Sequence, residues 1–200
     1  EHSVAIVKHY GDLVACGESL IFLEICLPYG EQRGNKNDQK ANDRYYRCKL
    51  YSTFEFKIFK EIQKEFSLKV CTEVATPNHV EQCLSYGIDA LWIGARTTTN
   101  PFSVQDIAEA LRGEKIPIFV KNPLNPDLKL WIGAIERLKR VGIENVYAVH
   151  RGFSLADNGN YRQTPLWQIP IELKRIFPDL NIICDPSHIA GKRELVESLS

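Results

Sequence analysis

The sequence predicts an α/β protein in which strands and helices alternate, arranged either as a barrel or as a doubly wound sheet. Five apolar runs recur between Leu68 and His188, and successive runs are separated by enough residues for one helix and its turns. The runs are continuous rather than alternating, which is typical of parallel strands covered on both faces. Strict alternation of strand and helix then implies right-handed crossovers between neighbouring parallel strands.

Each predicted strand ends near an ionisable residue. The runs cover residues 68–73, 90–96, 116–121, 146–151 and 181–188, and the ionisable residues are Glu73, Arg96, Lys121, Arg151 and His188. Loops and helix N-termini converge at the carboxyl edge of a parallel sheet, so active sites form there. A glutamate, two arginines, a lysine and a histidine at one edge predict a site for a small, multiply charged anion, with or without a metal ion.

Capping residues and apolar spacing predict where the helices lie. Thr76 and Pro77 form a favourable N-cap and first turn, and Gly87 is suited to end the same helix. The predicted helices cover residues 54–66, 77–86, 103–112, 127–141 and 165–177, and a last one begins near Lys192.

Residues 1–53 do not follow this alternation. Residues 4–7 and 20–27 are candidate strands, whereas residues 30–47 are polar and typical of an exposed or disordered loop. We therefore expect a divergent or partly disordered N-terminal segment over 1–53 and an α/β domain over 54–200. The sequence contains no methionine, which indicates a chain that does not begin at a native start.

Charge and composition exclude several classes of function. Twenty-five acidic and twenty-five basic residues cancel, so no global field favours nucleic acid or an anionic membrane. No apolar stretch approaches the roughly 20 residues that span a bilayer, and the first residues do not resemble a signal peptide. The six cysteines lack CxxC or regular spacing, which indicates reduced thiols in a cytoplasmic protein.

Small residues beside an arginine form the first candidate binding segment, Gly94-Ala95-Arg96. Small residues let backbone N–H groups approach a ligand closely, and arginine supplies a planar, bidentate donor for phosphate or carboxylate. A surface loop with a solvated arginine is the alternative. Arg151, which is followed by a glycine, would place a second guanidinium at the same edge.

Three further residues are candidates for catalysis or metal binding. Lys121 can neutralise a phosphate, donate a proton or form an imine, and its structural alternative is a side chain whose ammonium group reaches solvent. His188 follows the turn after Asp185 and is a candidate metal ligand. Glu73 can orient a basic residue, hold a water molecule or contact a metal, and an ion pair with a neighbouring arginine is its alternative.

Five segments resemble the 3-deoxy-7-phosphoheptulonate (DAHP) synthases and occur in that family's order. They are Thr72-Glu-Val-Ala, Trp92-Ile-Gly-Ala-Arg-Thr-Thr, Phe119-Val-Lys-Asn-Pro, His150-Arg-Gly-Phe and Cys184-Asp-Pro-Ser-His. Two more, Trp167-Gln-Ile-Pro-Ile-Glu-Leu-Lys-Arg and Ile189-Ala-Gly-Lys-Arg-Glu-Leu, resemble the branch in which the synthase is fused to a chorismate mutase domain. The resemblance runs from about residue 56 to residue 200.

The resemblance implies a TIM barrel that condenses phosphoenolpyruvate with erythrose 4-phosphate, the first step of the shikimate pathway. It also implies a divalent metal, Mn²⁺ or similar. The implied ligands of phosphoenolpyruvate are Gly94, Ala95, Arg96, Lys121 and Arg151.

The same resemblance implies two catalytic residues and one metal ligand. Glu73 would position the water that attacks C2 of phosphoenolpyruvate, and Lys121 would be the second catalytic residue. His188 would bind the metal. Family members also carry a metal-binding cysteine in an early Gly-Pro-Cys-Ser motif. Only the segment Val14-Ala-Cys-Gly-Glu-Ser resembles it here, so Cys16 is the second candidate metal ligand.

The sequence departs from the family pattern at both ends. No segment resembles the family's Lys-Pro-Arg-Thr motif, which contacts both substrates, and the eighth strand is expected beyond Ser200. We therefore expect an incomplete (β/α)8 barrel with five clear strand–helix units. Such a barrel exposes strand edges and apolar faces, which predicts a homo-oligomer or, alternatively, poor solubility of the isolated chain.

Two other functions stay open at this point. The chain can be catalytically incomplete and bind only anions that resemble phosphoenolpyruvate. It can also be another barrel enzyme that acts on sugar phosphates, either a 3-deoxy-ulosonate synthase or an aldolase that forms a Schiff base through Lys121.

Overall fold

A computed structural model of the chain describes residues 5–7, 20–23 and 53–199. The chain divides into two units, Glu1–Val70 and Cys71–Ser200. All of the candidate site residues except Cys16 belong to the second unit. Cys16 and the predicted polar loop at 30–47 lie outside the described residues.

In the first unit, the described residues form two short strands and a helix. They are β1 (Ala5–Val7), β2 (Leu20–Leu23) and helix α1 (Thr53–Phe66). The two strands pair in parallel, and both fall inside the stretches that the sequence predicts as strands. The helix begins one residue before its predicted start.

Five parallel strands form the sheet of the second unit. They are β3 (Lys69–Val74), β4 (Ala90–Ile93), β5 (Ile118–Lys121), β6 (Val146–His150) and β7 (Asn181–Cys184). Each strand pairs in parallel with the next strand along the chain, and the pairing of β3 with β4 begins at Cys71. This order confirms the five strand–helix units and the α/β class that the apolar runs predict.

Helices connect these strands, and two of them are absent from the sequence prediction. The helices are α2 (Pro77–Ser85), α3 (Ala95–Thr98), α4 (Pro101–Ala110), α5 (Leu128–Arg140), α6 (Gln168–Ile176), α7 (Pro186–Ala190) and α8 (Arg193–Val196), with a 3₁₀ turn at Glu197–Leu199. Among the described residues, no helix combines the length and apolar character needed to cross a membrane.

The unexpected helices are α3 and α7, which lie where the predicted strands 90–96 and 181–188 continue too far. Gly94 precedes α3 with an extended backbone, and the carboxylate of Asp185 caps α7 by accepting a hydrogen bond from the His188 N–H over 3.2 Å. An Asp at the N-cap satisfies a backbone donor that would otherwise lack a partner. Strands β4 and β7 therefore end at Ile93 and Cys184.

Capping also explains where the predicted helices begin. The Thr76 hydroxyl accepts a hydrogen bond from the His79 N–H, as its type and position predict. Asn100 caps α4 by accepting a hydrogen bond from the Phe102 N–H. Because Pro101 is compatible with the first helical turn, α4 begins two residues before its predicted start.

The middle of the sheet is fully buried. Every residue of β4 and β5 is buried, as continuous apolar runs in a parallel sheet predict. Strand β7 differs, because its residues are exposed or half-buried. In the part of the chain that the structure describes, β7 lies at the edge of this sheet with β6 as its neighbour.

Alternation along the strands places an acid, an aromatic ring and a base on one face of the sheet. Glu73 is in register with Trp92, and Trp92 is in register with Phe119. Lys121 lies two residues after Phe119, and residues two apart in a strand point to the same side. Lys121 is in turn in register with the residue before His150, so the His150 side chain points to the opposite side.

Candidate active site

Lys121, the last residue of β5, is a buried cation. Its side chain is 7% exposed, and its Nζ lies 3.9 Å from Oδ2 of Asp185. The same Nζ lies 4.9 Å from the centroid of the Trp92 ring. The ring face and the carboxylate both attract the ammonium group. The charge of Lys121 is therefore held inside the protein at the carboxyl edge of the sheet.

The carboxylate of Glu73 lies between Trp92 and Gly94. The indole Nε1 of Trp92 donates a hydrogen bond to Oε2 of Glu73 over 3.2 Å. A Cβ atom built on Gly94 would overlap Oε1 of the same carboxylate. Gly94 was expected to bring backbone close to a ligand, and in the structure its missing side chain makes room for Glu73.

Helix α3 carries Ala95 and Arg96 at the end of β4. Ala95 is buried, whereas the Arg96 side chain is exposed. The hydroxyl of Thr98 lies 3.0 Å from the carbonyl oxygen of Gly94 and 2.9 Å from that of Lys121, so it can donate to either. Thr98 thus connects α3 to the end of β5, and its sequence position did not predict this contact.

Asn122 joins the ends of β5 and β6 next to Arg151. The Asn122 side chain is fully buried, and its Oδ1 accepts a hydrogen bond from the Arg151 N–H over 2.7 Å. Its Nδ2 donates to the carbonyl oxygens of Gly152, at 2.8 Å, and Pro123, at 2.9 Å. The Arg151 side chain is buried, with Nη1 3.5 Å from Oε1 of Gln163. One side chain therefore fixes Arg151 relative to the lysine at the end of β5.

Asp185 holds His188 in place. Its Oδ2 lies 2.6 Å from Nδ1 of His188, and its Oδ1 accepts hydrogen bonds from the Ser187 hydroxyl at 2.8 Å and the His188 N–H at 3.2 Å. The Nδ1 and Oδ2 atoms are close enough to form an ion pair when the imidazole is protonated. From the sequence, Asp185 was identified only as the residue before the turn that leads to His188.

The protonation of Asp185 reflects opposing influences. Burial acts to raise its pKa, but the contact and charge of His188, the charge of Lys121 and the Ser187 hydroxyl together hold the pKa of this carboxyl well below its usual range. The group is therefore ionised near neutral pH although it is fully buried.

His150 lies on the opposite face of the sheet. Its side chain is 1% exposed, and its ring centroid lies 4.9 Å from that of Trp167, 5.7 Å from Phe153 and 6.5 Å from Trp131. Burial lowers the pKa of His150 to about 4, so the imidazole is neutral at pH 7. Its carbonyl oxygen accepts a hydrogen bond from the Asp185 N–H over 2.8 Å, which links this aromatic cluster to the site.

The expected metal ligands can be compared with the donors present. His188 is described, whereas Cys16 lies outside the described residues. Within the described part of the chain, no three His, Cys, Asp or Glu side chains lie together as a protein metal site requires. The donors that the structure describes therefore do not by themselves make up a metal site.

A chain of four contacts connects most of the site. It runs from Glu73 through Trp92, Lys121 and Asp185 to His188, with separations of 3.2, 4.9, 3.9 and 2.6 Å. Three of these residues were expected from the sequence, and Trp92 and Asp185 were not. A buried lysine between a buried and a half-buried carboxylate forms a preorganised environment for an anionic ligand and for proton transfer.

One family model matches most of the chain. It is described as the DAHP synthetase I family and matches residues 51–199. No curated protein matches the chain.

Two solved structures from Thermotoga maritima share the fold. One is a truncated form of 3-deoxy-D-arabino-heptulosonate 7-phosphate synthase, with 22% identity and a TM-score of 0.62 over 72% of this chain and 52% of that chain. The other is a phospho-2-dehydro-3-deoxyheptonate aldolase (DAHP synthase), with 22% identity and a TM-score of 0.62 over 72% of this chain and 41% of that chain. This chain thus spans about half or less of each structure's length. The likeness confirms a TIM-barrel-like fold, to which the second unit contributes five parallel strands.

Proposed function

The chain belongs to the DAHP synthetase I family, and on this premise we propose that it condenses phosphoenolpyruvate with erythrose 4-phosphate. This aldol-type reaction would place the protein at the first step of the shikimate pathway. The observation that supports the proposal best is the chain of contacts from Glu73 through Lys121 to His188. These contacts connect Glu73, Lys121 and His188 at the carboxyl edge of the sheet, where active sites of such folds form.

Phosphoenolpyruvate is the proposed ligand of Arg96, Lys121 and Arg151. The two buried cations suit a small dianion, because charges attract more strongly where water is excluded. The guanidinium of arginine matches phosphate or carboxylate in a bidentate way, whereas lysine acts as a point charge. Exposed Arg96 can close on the ligand from α3. Gly94 and Ala95 precede Arg96, and their small size would let backbone N–H groups approach the ligand closely.

Glu73 and Lys121 each have one proposed role in this reaction. C3 of phosphoenolpyruvate forms the new bond to the aldehyde carbon, and a water oxygen adds to C2. The bond between C2 and the phosphate oxygen then breaks, so that phosphate leaves and C2 becomes the keto carbon. Glu73 positions this water and takes its proton, and the Lys121 ammonium donates a proton to the former aldehyde oxygen.

A divalent metal, Mn²⁺ or similar, is part of the proposal, with His188 and Cys16 among its ligands. What supports His188 is its contact with Asp185 at 2.6 Å. A carboxylate beside an imidazole orients the ring and strengthens it as a ligand.

Several properties of the whole protein are also proposed. They are a homo-oligomeric state, a cytoplasmic location, an associated chorismate mutase domain and a domain boundary near residues 53 and 54. The two segments that begin at Trp167 and Ile189 support the chorismate mutase association through their sequence resemblance.

An assay of phosphoenolpyruvate consumption tests the proposed function. The loss of ultraviolet absorbance of phosphoenolpyruvate is measured with erythrose 4-phosphate and Mn²⁺ present. We expect weak turnover by the unsubstituted chain, because the described donors do not by themselves make up a metal site, and loss of this turnover in Arg96→Ala and in His188→Ala. Arg112→Ala is the matched control, because Arg112 is exposed and pairs with Glu109 on helix α4's C-terminal side. Full activity in both site variants would contradict the assigned roles.

Two other outcomes identify the alternative functions. Calorimetric binding of phosphoenolpyruvate that is unchanged by EDTA and has no turnover indicates an anion-binding protein. A borohydride-trapped imine on Lys121 indicates a Schiff-base aldolase.

A further inference from the structure

Trp92 contacts an acid with its edge and a base with its face. The side chain is 1% exposed and lies in the middle of the sheet. Its Nε1 donates to Oε2 of Glu73 over 3.2 Å, and the Nζ of Lys121 lies 4.9 Å from its ring centroid. Both charged groups therefore contact the same indole, at its N–H edge and its ring face.

We propose that Trp92 is a positioning residue, an inference that rests on the proposed function. Its indole separates Glu73 from Lys121, so that the carboxylate can position water and the ammonium group can bind phosphoenolpyruvate. A carboxylate and an ammonium group that met inside the protein would attract strongly. Such an ion pair would neutralise the charge that binds phosphate and would occupy the carboxylate that positions water. The indole gives each group a weaker contact, an N–H donor for the acid and a negative ring face for the base.

Neighbouring residues keep the acid and the base on separate sides of the indole. On the acid side, the missing Cβ of Gly94 makes room for the Glu73 carboxylate close to the start of α3. On the base side, Asp185 lies 3.9 Å from Lys121 and attracts it toward β7. The strand register fixes the indole between them, because Trp92 is paired with Glu73 on one side and with a residue of β5 on the other.

The two contacts of the indole can be removed separately. Trp92→Phe keeps an aromatic face for Lys121 and removes the N–H donor to Glu73. Trp92→Leu removes both the donor and the ring face, so that the ammonium group and the carboxylate can approach each other.

Trp131→Phe is a closely matched control. Trp131 is also fully buried, and its Nε1 donates to the carbonyl oxygen of Val120 over 3.1 Å. Trp131→Phe and Trp92→Phe therefore both remove one buried indole hydrogen bond, and similar losses of stability are expected. Only Trp92 contacts the charged residues of the proposed site.

The first measurement compares kcat and phosphoenolpyruvate affinity at a temperature where all variants are folded. Trp92→Phe should lower kcat by about tenfold or more, because Glu73 loses the donor that holds its carboxylate in place, with the phosphoenolpyruvate Kd nearly unchanged. Trp92→Leu should lower kcat and also weaken phosphoenolpyruvate binding, because Lys121 is then drawn toward Glu73. Trp131→Phe should change neither quantity by more than about twofold.

The second measurement needs no substrate and therefore separates this inference from the proposed function. In NMR spectra of the full chain, the side-chain carboxyl ¹³C signal of Glu73 should move in Trp92→Phe, while the ¹⁵N signal of the Lys121 ammonium group stays. Both signals should move in Trp92→Leu, and neither in Trp131→Phe. If the unsubstituted chain shows no turnover, the proposed function fails and these signals still decide the role of Trp92. Equal signals in Trp92→Phe and Trp131→Phe would overturn it.

Discussion

Oδ2 of Asp185 lies 2.6 Å from Nδ1 of His188, and the carboxylate is fully buried. The same oxygen lies 3.9 Å from Nζ of Lys121. One acid thus contacts an imidazole and attracts a buried cation at the end of β5, two strands away in the sheet. Removing it would leave the lysine charge without its carboxylate.

Asp185→Asn should therefore destabilise the fold. Breaking a buried ion pair by removing one partner costs about 3 to 5 kcal/mol, and we expect a loss of this size in the free energy of unfolding at pH 7. Urea denaturation measures it. Asp106→Asn is the control, because Asp106 is exposed on α4, and it should leave the unfolding free energy within about 0.5 kcal/mol of the unsubstituted value.

The low pKa of Asp185 also predicts acid sensitivity. Because its folded-state pKa lies below the ordinary value of 3.8, its stabilising contribution is present above that value and is lost as the pH falls below it. As the pH is lowered from 4, the unfolding free energy of the unsubstituted chain should decrease more than that of Asp185→Asn. Parallel slopes for the two proteins in this range would contradict the assignment.

His150 predicts a second loss of stability, in a higher pH window. Its folded-state pKa of about 4 lies below the ordinary 6.5, so the unfolded state binds the proton first as the pH falls. Stability should therefore be complete above pH 6.5 and decrease by roughly 3 kcal/mol on acidification to pH 4. His150→Phe, which keeps an aromatic ring in the cluster, should remove this dependence. An unchanged slope from pH 6.5 to 4 in the variant would rule out His150 as its source.

Asn122→Ala should weaken both the fold and the site. It removes a buried side chain that makes two hydrogen bonds to the end of β6 and one to the neighbouring carbonyl oxygen of Pro123. Leaving buried polar groups without partners costs about 1 to 3 kcal/mol each, and Arg151 loses its fixed position. Chemical denaturation and calorimetry with phosphoenolpyruvate measure the two effects. In the control Asn145→Ala, which removes one exposed hydrogen bond of 3.4 Å, neither quantity should change appreciably.

Gly94→Ala should displace the Glu73 carboxylate, because the added Cβ would overlap Oε1. We expect a reduction of kcat of about tenfold or more, since the carboxylate proposed to position the water and accept its proton is displaced. In Gly133→Ala the new Cβ meets only the flexible end of Arg137, at 2.8 Å, and alanine favours the helix. That control should keep full activity and gain a little stability. Equal kcat values in the two variants would argue against a role for the Glu73 position.

Local signals predicted the helices well where they depend on a few neighbouring residues. Thr76 caps α2 through a hydrogen bond to a backbone group three residues away, so residue type and spacing were sufficient to predict it. The predicted strands ran too long at Gly94 and Asp185, because the apolar pattern does not show where a strand gives way to one short helical turn. Such helices are set by capping and by contacts such as that of Thr98 with the end of β5.

The sequence by itself determined the parallel α/β alternation, the approximate strand ends and the set of ionisable residues there, because periodicity and capping act over short stretches of chain. The tertiary structure alone decided which of these residues meet. Trp92, Asn122 and Asp185 connect them through contacts with other strands, and strand register brings together residues that are far apart along the chain. The same packing excludes water, which lowers the pKa of His150, whereas the contacts of Asp185 with His188, Lys121 and Ser187 hold the pKa of this buried carboxyl low.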